Sequence, residues 1–430
     1  MASKKSKSTD LQGITRLITD TTLGVTDLVE AMHIRIVNPP FLPTTPIQKM
    51  ISYIAGITFD SIRWSVQQIG KSTEKTLGQL TATLGDVKAT EEREAIQSAL
   101  NGVIGDYLEK KENPLAIAMQ FRHQAQAIVL NGKGIPAAQQ KAGLAQAYPT
   151  ATGKILLLIH GLCMNDIQWT RKAHNHGTAL ATDLDKTPIY LHYNSGRHIS
   201  TNGQELSEML DNLVQHWPVP VEELVIVAHS MGGLVSRSAF YYGQQQQKTW
   251  TKHLKKIVFL GTPHHGAPLE QAGNYLDVVL EAIPYAQPFA RIGKVRSAGI
   301  TDLRYGNLLD SDLESVDRFE MRGDERSVVA LPAGVECYSV AAVVGKPDAV
   351  SSQLLGDGLV SKASAFGLPA AQRKAGLYSV DQQAGLHENE NRNLLFKKEN
   401  TWIAYGRNHM DLLSDQAIYD QIKSWLIVES

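Results

Sequence analysis

A doubly wound α/β domain with a mostly parallel sheet, preceded by a helical region, is the fold this sequence predicts. Three observations carry that expectation. After residue 150, short runs continuous in Ile, Leu and Val alternate with stretches of helical period, as in a parallel sheet covered on both faces. Before residue 150, apolar residues recur only at helical spacing. Between these patterns in importance stands Val225-Ile226-Val227-Ala228-His229-Ser230-Met231-Gly232-Gly233, a strand that runs into a tight turn and opens a helix.

Taken in order, residues 1–145 form the N-terminal helical region. Its apolar stripes are Leu11, Ile14, Ile18, Val25, Leu28, Val29 and Met32; Ile47, Met50, Ile51, Ile54, Ile62 and Ile69; Leu77, Leu80, Leu84 and Val87; and Ile96, Leu100, Val103, Ile104, Tyr107 and Leu108. The break Asn38-Pro39-Pro40-Phe41-Leu42-Pro43 separates the first two, because proline ends helices and biases its predecessor to extended backbone. Asn131 to Pro149 reads as a linker or surface connection. Residues 150–430 form the α/β domain. Its strands are expected at 155–159, 189–193, 224–228, 256–260, 336–344 and 402–405, with helices over 203–214 and 234–242. Residues 267–335 read as a helical cap insertion containing Leu276, Val279, Leu280 and Ile283, and a terminal helix carries Ile418, Ile422, Trp425 and Leu426.

Composition narrows the function classes. The 430 residues carry 42 basic against 43 acidic side chains, a formal charge of −1, which gives no electrostatic case for nucleic acid. Two cysteines, Cys163 and Cys337, provide no disulfide framework. No apolar h-region follows the basic start Met1-Ala2-Ser3-Lys4-Lys5, and no run of about eighteen apolar residues exists. The expectation is a soluble, cytoplasmic protein.

The turn at Ser230 carries the chemistry. A serine hydroxyl is a weak nucleophile unless a base can reach it and a backbone N–H faces the developing oxyanion. Holding it at the tip of a sharp turn needs small neighbours two residues away, here Ala228 and Gly232. The acid and the base should follow in chain order. Asp357 lies between Gly356 and Gly358 just after a predicted strand, with an Asx-type turn as its plain alternative and Asp348 as the fallback acid. His409 lies on the loop after the last strand, where a general base belongs. The oxyanion donors would be the N–H of Met231 and that of Leu162, in the loop Ile159-His160-Gly161-Leu162.

Other histidines take structural readings. His160 precedes Ser230 in the wrong order for a base and is read as ordering its loop. His229 is read as packed and hydrogen-bonded. The pairs His264-His265 and His174-x-His176 lack a third ligand, so no metal and no cofactor is expected.

Together the segments Ile159-His160-Gly161-Leu162, Ala228-His229-Ser230-Met231-Gly232-Gly233, Leu260-Gly261-Thr262-Pro263-His264-His265-Gly266, Gly356-Asp357-Gly358-Leu359-Val360 and Asn408-His409 resemble the lipase and esterase branch of the α/β-hydrolase superfamily. The Thr-Pro-His-x-Gly segment and Ser297-Ala298-Gly299-Ile300-x-Asp302-Leu303 are similar to bacterial proteins of the glycosylphosphatidylinositol inositol-deacylase type. The resemblance covers about residues 150–430 and not 1–145. It implies Ser230 as nucleophile, Asp357 as orienting acid, His409 as base, and Leu162 and Met231 as oxyanion donors. It departs from the usual pattern at Ala228, which stands where glycine is common. The expected activity is hydrolysis of a carboxylic ester, lipid-like or small, through an acyl-enzyme, with acyl transfer as a sibling and a role in lipid metabolism.

A second reading comes from a different class. The amphipathic N-terminal helices and their Lys-rich leader would bind a membrane surface peripherally or a partner, with the α/β half as scaffold. Their polar faces are mixed in charge, with Asp20, Asp27, Glu30, Glu92 and Glu94, which favours helix-on-domain packing instead.

Overall fold

The computed structural model describes residues 91–128, 137–266, 296–313, 326–345, 356–368 and 393–427. Glu91–Tyr107 and Ile117–Ser430 make one contact unit, to which everything below belongs; of the remaining unit only 108–116 is described. The first three helical stripes with the Lys-rich leader, the stripe Leu276–Ile283 and Asp348 lie outside the described residues, as do 267–295 and 314–325 of the cap insertion.

The elements are α1 (Glu91–Lys110), β1 (Gln120–His123), β2 (Gln126–Ala127), α2 (Ala137–Ala147), β3 (Lys154–Ile159), the small pair β4 (Thr170–Arg171) and β5 (His174–Asn175), α3 (His176–Leu184), β6 (Thr187–His192), α4 (Ile199–His216), β7 (Glu223–His229), α5 (Met231–Gln245), β8 (Leu254–Leu260), α6 (Ala298–Asp302), β9 (Glu336–Val343), α7 (Lys362–Ala365), β10 (Thr401–Tyr405) and α8 (Gln416–Leu426). Eight strands form one sheet in the order β10-β9-β8-β7-β3-β6-β1-β2. The six strands expected from the sequence are all present and pair in parallel; β1 runs antiparallel to β6 and to β2. The fold is therefore α/β with a mostly parallel sheet.

The central strands show why their sequences are continuous rather than alternating. Ile155 to Ile159 of β3 and Val225 to Ala228 of β7 have no exposed surface, because helices cover both faces. On one of these helices, α4, Ile199, Leu206, Met209, Leu210 and Leu213 form a buried stripe. It meets α5 at Gly203, where a Cβ would stand 2.2 Å from Ser238 Oγ, so these two helices pack almost backbone to backbone. Asn175 caps α3 by accepting from Thr178 N–H, and Asp415 caps α8 by accepting from Ala417 and Ile418.

Three features differ from the sequence expectation. The stretch read as a linker holds α2, anchored by the buried Leu144. The sheet begins before residue 150: β1, lying between β6 and the two-residue edge strand β2, is a short strand too mixed in Gln, Phe, Arg and His to show a period. The fourth stripe is a helix whose Val103 and Leu108 are buried and whose Ile104 packs on the core, but Ile96 is 44% exposed and the small residues Ala95, Ser98, Ala99, Asn101, Gly102 and Gly105 are buried beside them. The buried face is thus wider than the apolar stripe, because small side chains let this helix sit tightly on the unit. Among the described residues no helix is long and apolar enough to cross a membrane.

Candidate active site

The loops after the carboxyl ends of β3, β7, β9 and β10 supply the predicted site residues. Ser230 follows β7 directly and precedes α5, with φ of 53° and ψ of −123°, an uncommon backbone for a residue with a Cβ. Its N–H donates to Leu260 O at 2.9 Å, tying the turn to the end of β8. The small residues around it have a measurable cause. A Cβ on Gly232 would stand 2.6 Å from Ile159 O, and one on Gly161 would stand 3.0 Å from Ser230 Cβ. Ala228 is buried in β7 and its methyl group is accommodated.

Asp357 and His409 come together. His409 Nδ1–H donates to Asp357 Oδ2 at 2.6 Å, and both side chains are nearly inaccessible. The other carboxylate oxygen, Oδ1, accepts from Leu359 N–H at 2.9 Å and Val360 N–H at 2.7 Å. The two readings of Asp357 thus coexist: one oxygen closes an Asx-type turn and the other orients the imidazole. With Nδ1 carrying the proton, Nε2 is the basic nitrogen.

The His409 ring sits against the elbow. It packs on His229, the residue before Ser230, with centroids 4.6 Å apart, and His229 Nε2–H donates to His409 O at 3.3 Å. Gly261, at the end of β8 with φ of 59°, makes room for it, since a Cβ there would lie 3.0 Å from His409 Cε1. Among the described residues the Ser230 hydroxyl makes no hydrogen bond. Burial holds His229 far below the ordinary imidazole range, and the neighbouring His409 adds to this, so the ring behind His409 is neutral.

The loop carrying Leu162 is fixed from three sides. Tyr193 OH donates to His160 O at 2.9 Å, Cys163 N–H donates to Ser195 Oγ at 3.0 Å, and Asp166 accepts from Arg122 at 2.8 Å. His160 donates from Nδ1 to Gly161 O at 2.8 Å and stacks on Tyr193, which is the ordering role read from the sequence. Burial lowers its pKa to about 4. Leu162 N–H has no protein acceptor among the described residues, and Met231 N–H is the first amide of α5, a class with no intrahelical partner.

The remaining histidines point to separate partners. His264 Nδ1 faces Arg237, while His265 Nε2–H donates to Gly367 O at 2.8 Å. His176 donates to Leu412 O at 3.1 Å and accepts from His174 at 2.7 Å. Among the described residues no group of three His, Cys, Asp or Glu side chains is placed to hold a metal ion.

One part of the site was not found from the sequence. Helix α1 lies on the Leu162 loop: a Cβ on Gly102 would stand 2.2 Å from Cys163 Sγ and 2.9 Å from its Cα. Ser297 Oγ donates to Gly102 O at 2.6 Å, and Ala298 N–H donates to Asp106 at 3.0 Å, so the same helix carries the described start of the cap. Asp302, at the end of α6, accepts from Ile199 N–H at 2.9 Å and from His198. The signal was the small-residue spacing Ser98, Ala99, Gly102 and Gly105, which the larger residues beside it obscured.

Residues 150–333 match the model of a family described as PGAP1-like alpha/beta domain. Among solved structures, the chain is similar to the mature lipase BlEst2 of Bacillus licheniformis, 15% identical, over 64% of this chain and 92% of that one, with a TM-score of 0.39. It is also similar to EstA from Clostridium botulinum, 13% identical over 64% and 87%, TM-score 0.36. Lipase B of Aspergillus fumigatus is 10% identical over 69% and 60%, TM-score 0.35. No curated protein matches the chain. The domain is α/β with a mostly parallel sheet, and the model of that family covers its residues 150–333.

Proposed function

We propose that this chain is a serine carboxylic-ester hydrolase. The observation that carries the reading is the buried Asp357–His409 pair packed on the residue that precedes the strained Ser230 turn. In this reading Ser230 Oγ attacks the ester carbonyl as His409 Nε2 takes its proton. The Leu162 and Met231 amides receive the oxyanion, and the alcohol leaves with the proton from His409. Water, deprotonated by the same imidazole, then releases the acid. Asp357 keeps the imidazole in the Nδ1–H tautomer and stabilises its charged form. An acceptor alcohol in place of water would give acyl transfer at the same residues.

The resemblance of the motifs to lipases and esterases supports an ester with an apolar acyl chain. A fluorophosphonate probe tests the nucleophile: wild type should label and Ser230→Ala should not. Equal labelling of both, or none of the wild type, overturns the reading. p-Nitrophenyl esters of graded length then define the acyl preference.

A further inference from the structure

Helix α5 carries a second chemically loaded side chain. Arg237 lies seven residues beyond Ser230, roughly 10 Å along the helix, and is 4% exposed. Its two terminal nitrogens meet only neutral groups: one donates to His264 Nδ1 at 3.3 Å, the other to Val329 O. Among the described residues its Nε has no partner. Among the described residues no carboxylate reaches it, and the guanidinium of Arg326 stands near enough to repel it. Burial, with that repulsion, pushes Arg237 down to about 9. Buried charges are otherwise found paired or ligated, because an uncompensated one is costly to desolvate.

The neighbours deepen the imbalance. Since His264 Nδ1 accepts from Arg237, the ring proton sits on Nε2, and that N–H also has no partner. His265 donates from Nε2 to Gly367 O and accepts at Nδ1 from Arg326. Arg326 also donates to His264 O at 2.9 Å and Gly306 O at 3.0 Å. Asp312, the acid beside Ser327, gives its oxygens to the N–H groups of Leu308, Leu309 and Ser327. All four of Arg237, His264, His265 and Arg326 line one small cleft, and Val328 on its wall is 54% exposed.

We propose that this cleft binds a small oxyanion, the carboxylate or phosphate group of a ligand, at a site distinct from Ser230. A guanidinium with donors left over suits either group, because its planar fork matches two oxygens at once. The bound oxyanion supplies the counter-charge that Arg237 lacks and the acceptors that Arg237 and His264 lack. The inference stands independently of ester hydrolysis.

Thermal unfolding of the full chain at constant ionic strength tests it, with sodium phosphate or sodium hexanoate against sodium chloride alone. A ligand bound only by the folded state raises Tm in a saturable way. The expected result is such a rise with at least one oxyanion beyond that in chloride. Phosphate alone acting identifies a phosphoryl ligand; hexanoate alone identifies a carboxylate. Val328→Asp, which places a fixed carboxylate at the mouth, should abolish the response, and Arg237→Met should do the same. The proposal is overturned if neither oxyanion acts beyond chloride, or if Val328→Asp responds as wild type does.

Discussion

Gly102→Ala is the substitution that most directly probes how α1 supports the Leu162 loop. The new methyl group would sit 2.2 Å from Cys163 Sγ, 2.9 Å from its Cα and 3.0 Å from its N. Non-bonded carbon contacts settle near 3.5–4.0 Å, so the Cys163 backbone must retreat by roughly 0.5–1 Å. Cys163 is the residue after the proposed donor Leu162. A shift of about 1 Å in a positioned group can cost on the order of 10²-fold, and loss of one oxyanion donor about 10²–10³-fold in kcat. The fold should survive: overpacking costs about 1–3 kcal/mol, partly offset by the gain of roughly 0.5–1 kcal/mol for alanine over glycine within a helix. Steady-state hydrolysis of a p-nitrophenyl ester should therefore show kcat reduced about 10²-fold with KM little changed. Cys163→Ala in the same chain removes the 2.2 Å clash but not the backbone ones, so recovery should be partial. Gly153→Ala is the control, because it overpacks against Pro220 O at 2.8 Å beside the opposite end of β3 and should leave kcat unchanged. A folded Gly102→Ala protein with wild-type kcat would refute the reasoning.

Two further predictions concern stability. Arg122 is held between Glu94 at 2.6 Å and Asp166 at 2.8 Å, all largely buried. Arg122→Met leaves two facing carboxylates and should cost about 3–5 kcal/mol in urea unfolding, whereas replacing all three by apolar residues should recover most of it. Acid should also destabilise the protein above the carboxylate range. Burial lowers His160 and His176 to about 4, and His192, His229 and His264 are also pushed well below 6.5. The unfolded chain then binds more protons than the folded one between pH 6.5 and 4. Stability is complete above 6.5 and falls as pH drops through that window, by at most about 3 kcal/mol for each of His160 and His176. Unfolding free energies equal at pH 7 and pH 5 would contradict this.

Much of the site was legible because its chemistry is local. The Ser230 turn needs small residues within two positions, and the chain order of acid and base fixes which loops to inspect. Asp357 was harder, because an Asx-type turn and an acid beside a histidine leave the same Asp-Gly trace; in the folded chain one oxygen closes the turn and the other accepts from His409. The small residues of α1's buried face were missed because periodicity weighs side chains by size, while a helix packed at close range buries its small ones as well. β1 escaped because its four residues, Gln, Phe, Arg and His, are too few and too mixed to show a period.

By itself the sequence determined the parallel strands, since five or six consecutive apolar residues leave few alternatives to a covered sheet, and it placed Ser230 on the sharp turn between β7 and α5. Tertiary structure alone decided what surrounds that serine. Residues 52 positions apart meet as His409 and Asp357, and the glycine at 102 becomes the footing of a loop at 163. It also decided that, among the described residues, Arg237 faces no acid. These contacts join segments far apart in the chain, and no local period or spacing encodes which of them will touch; that depends on how the whole sheet and its helices close around the site.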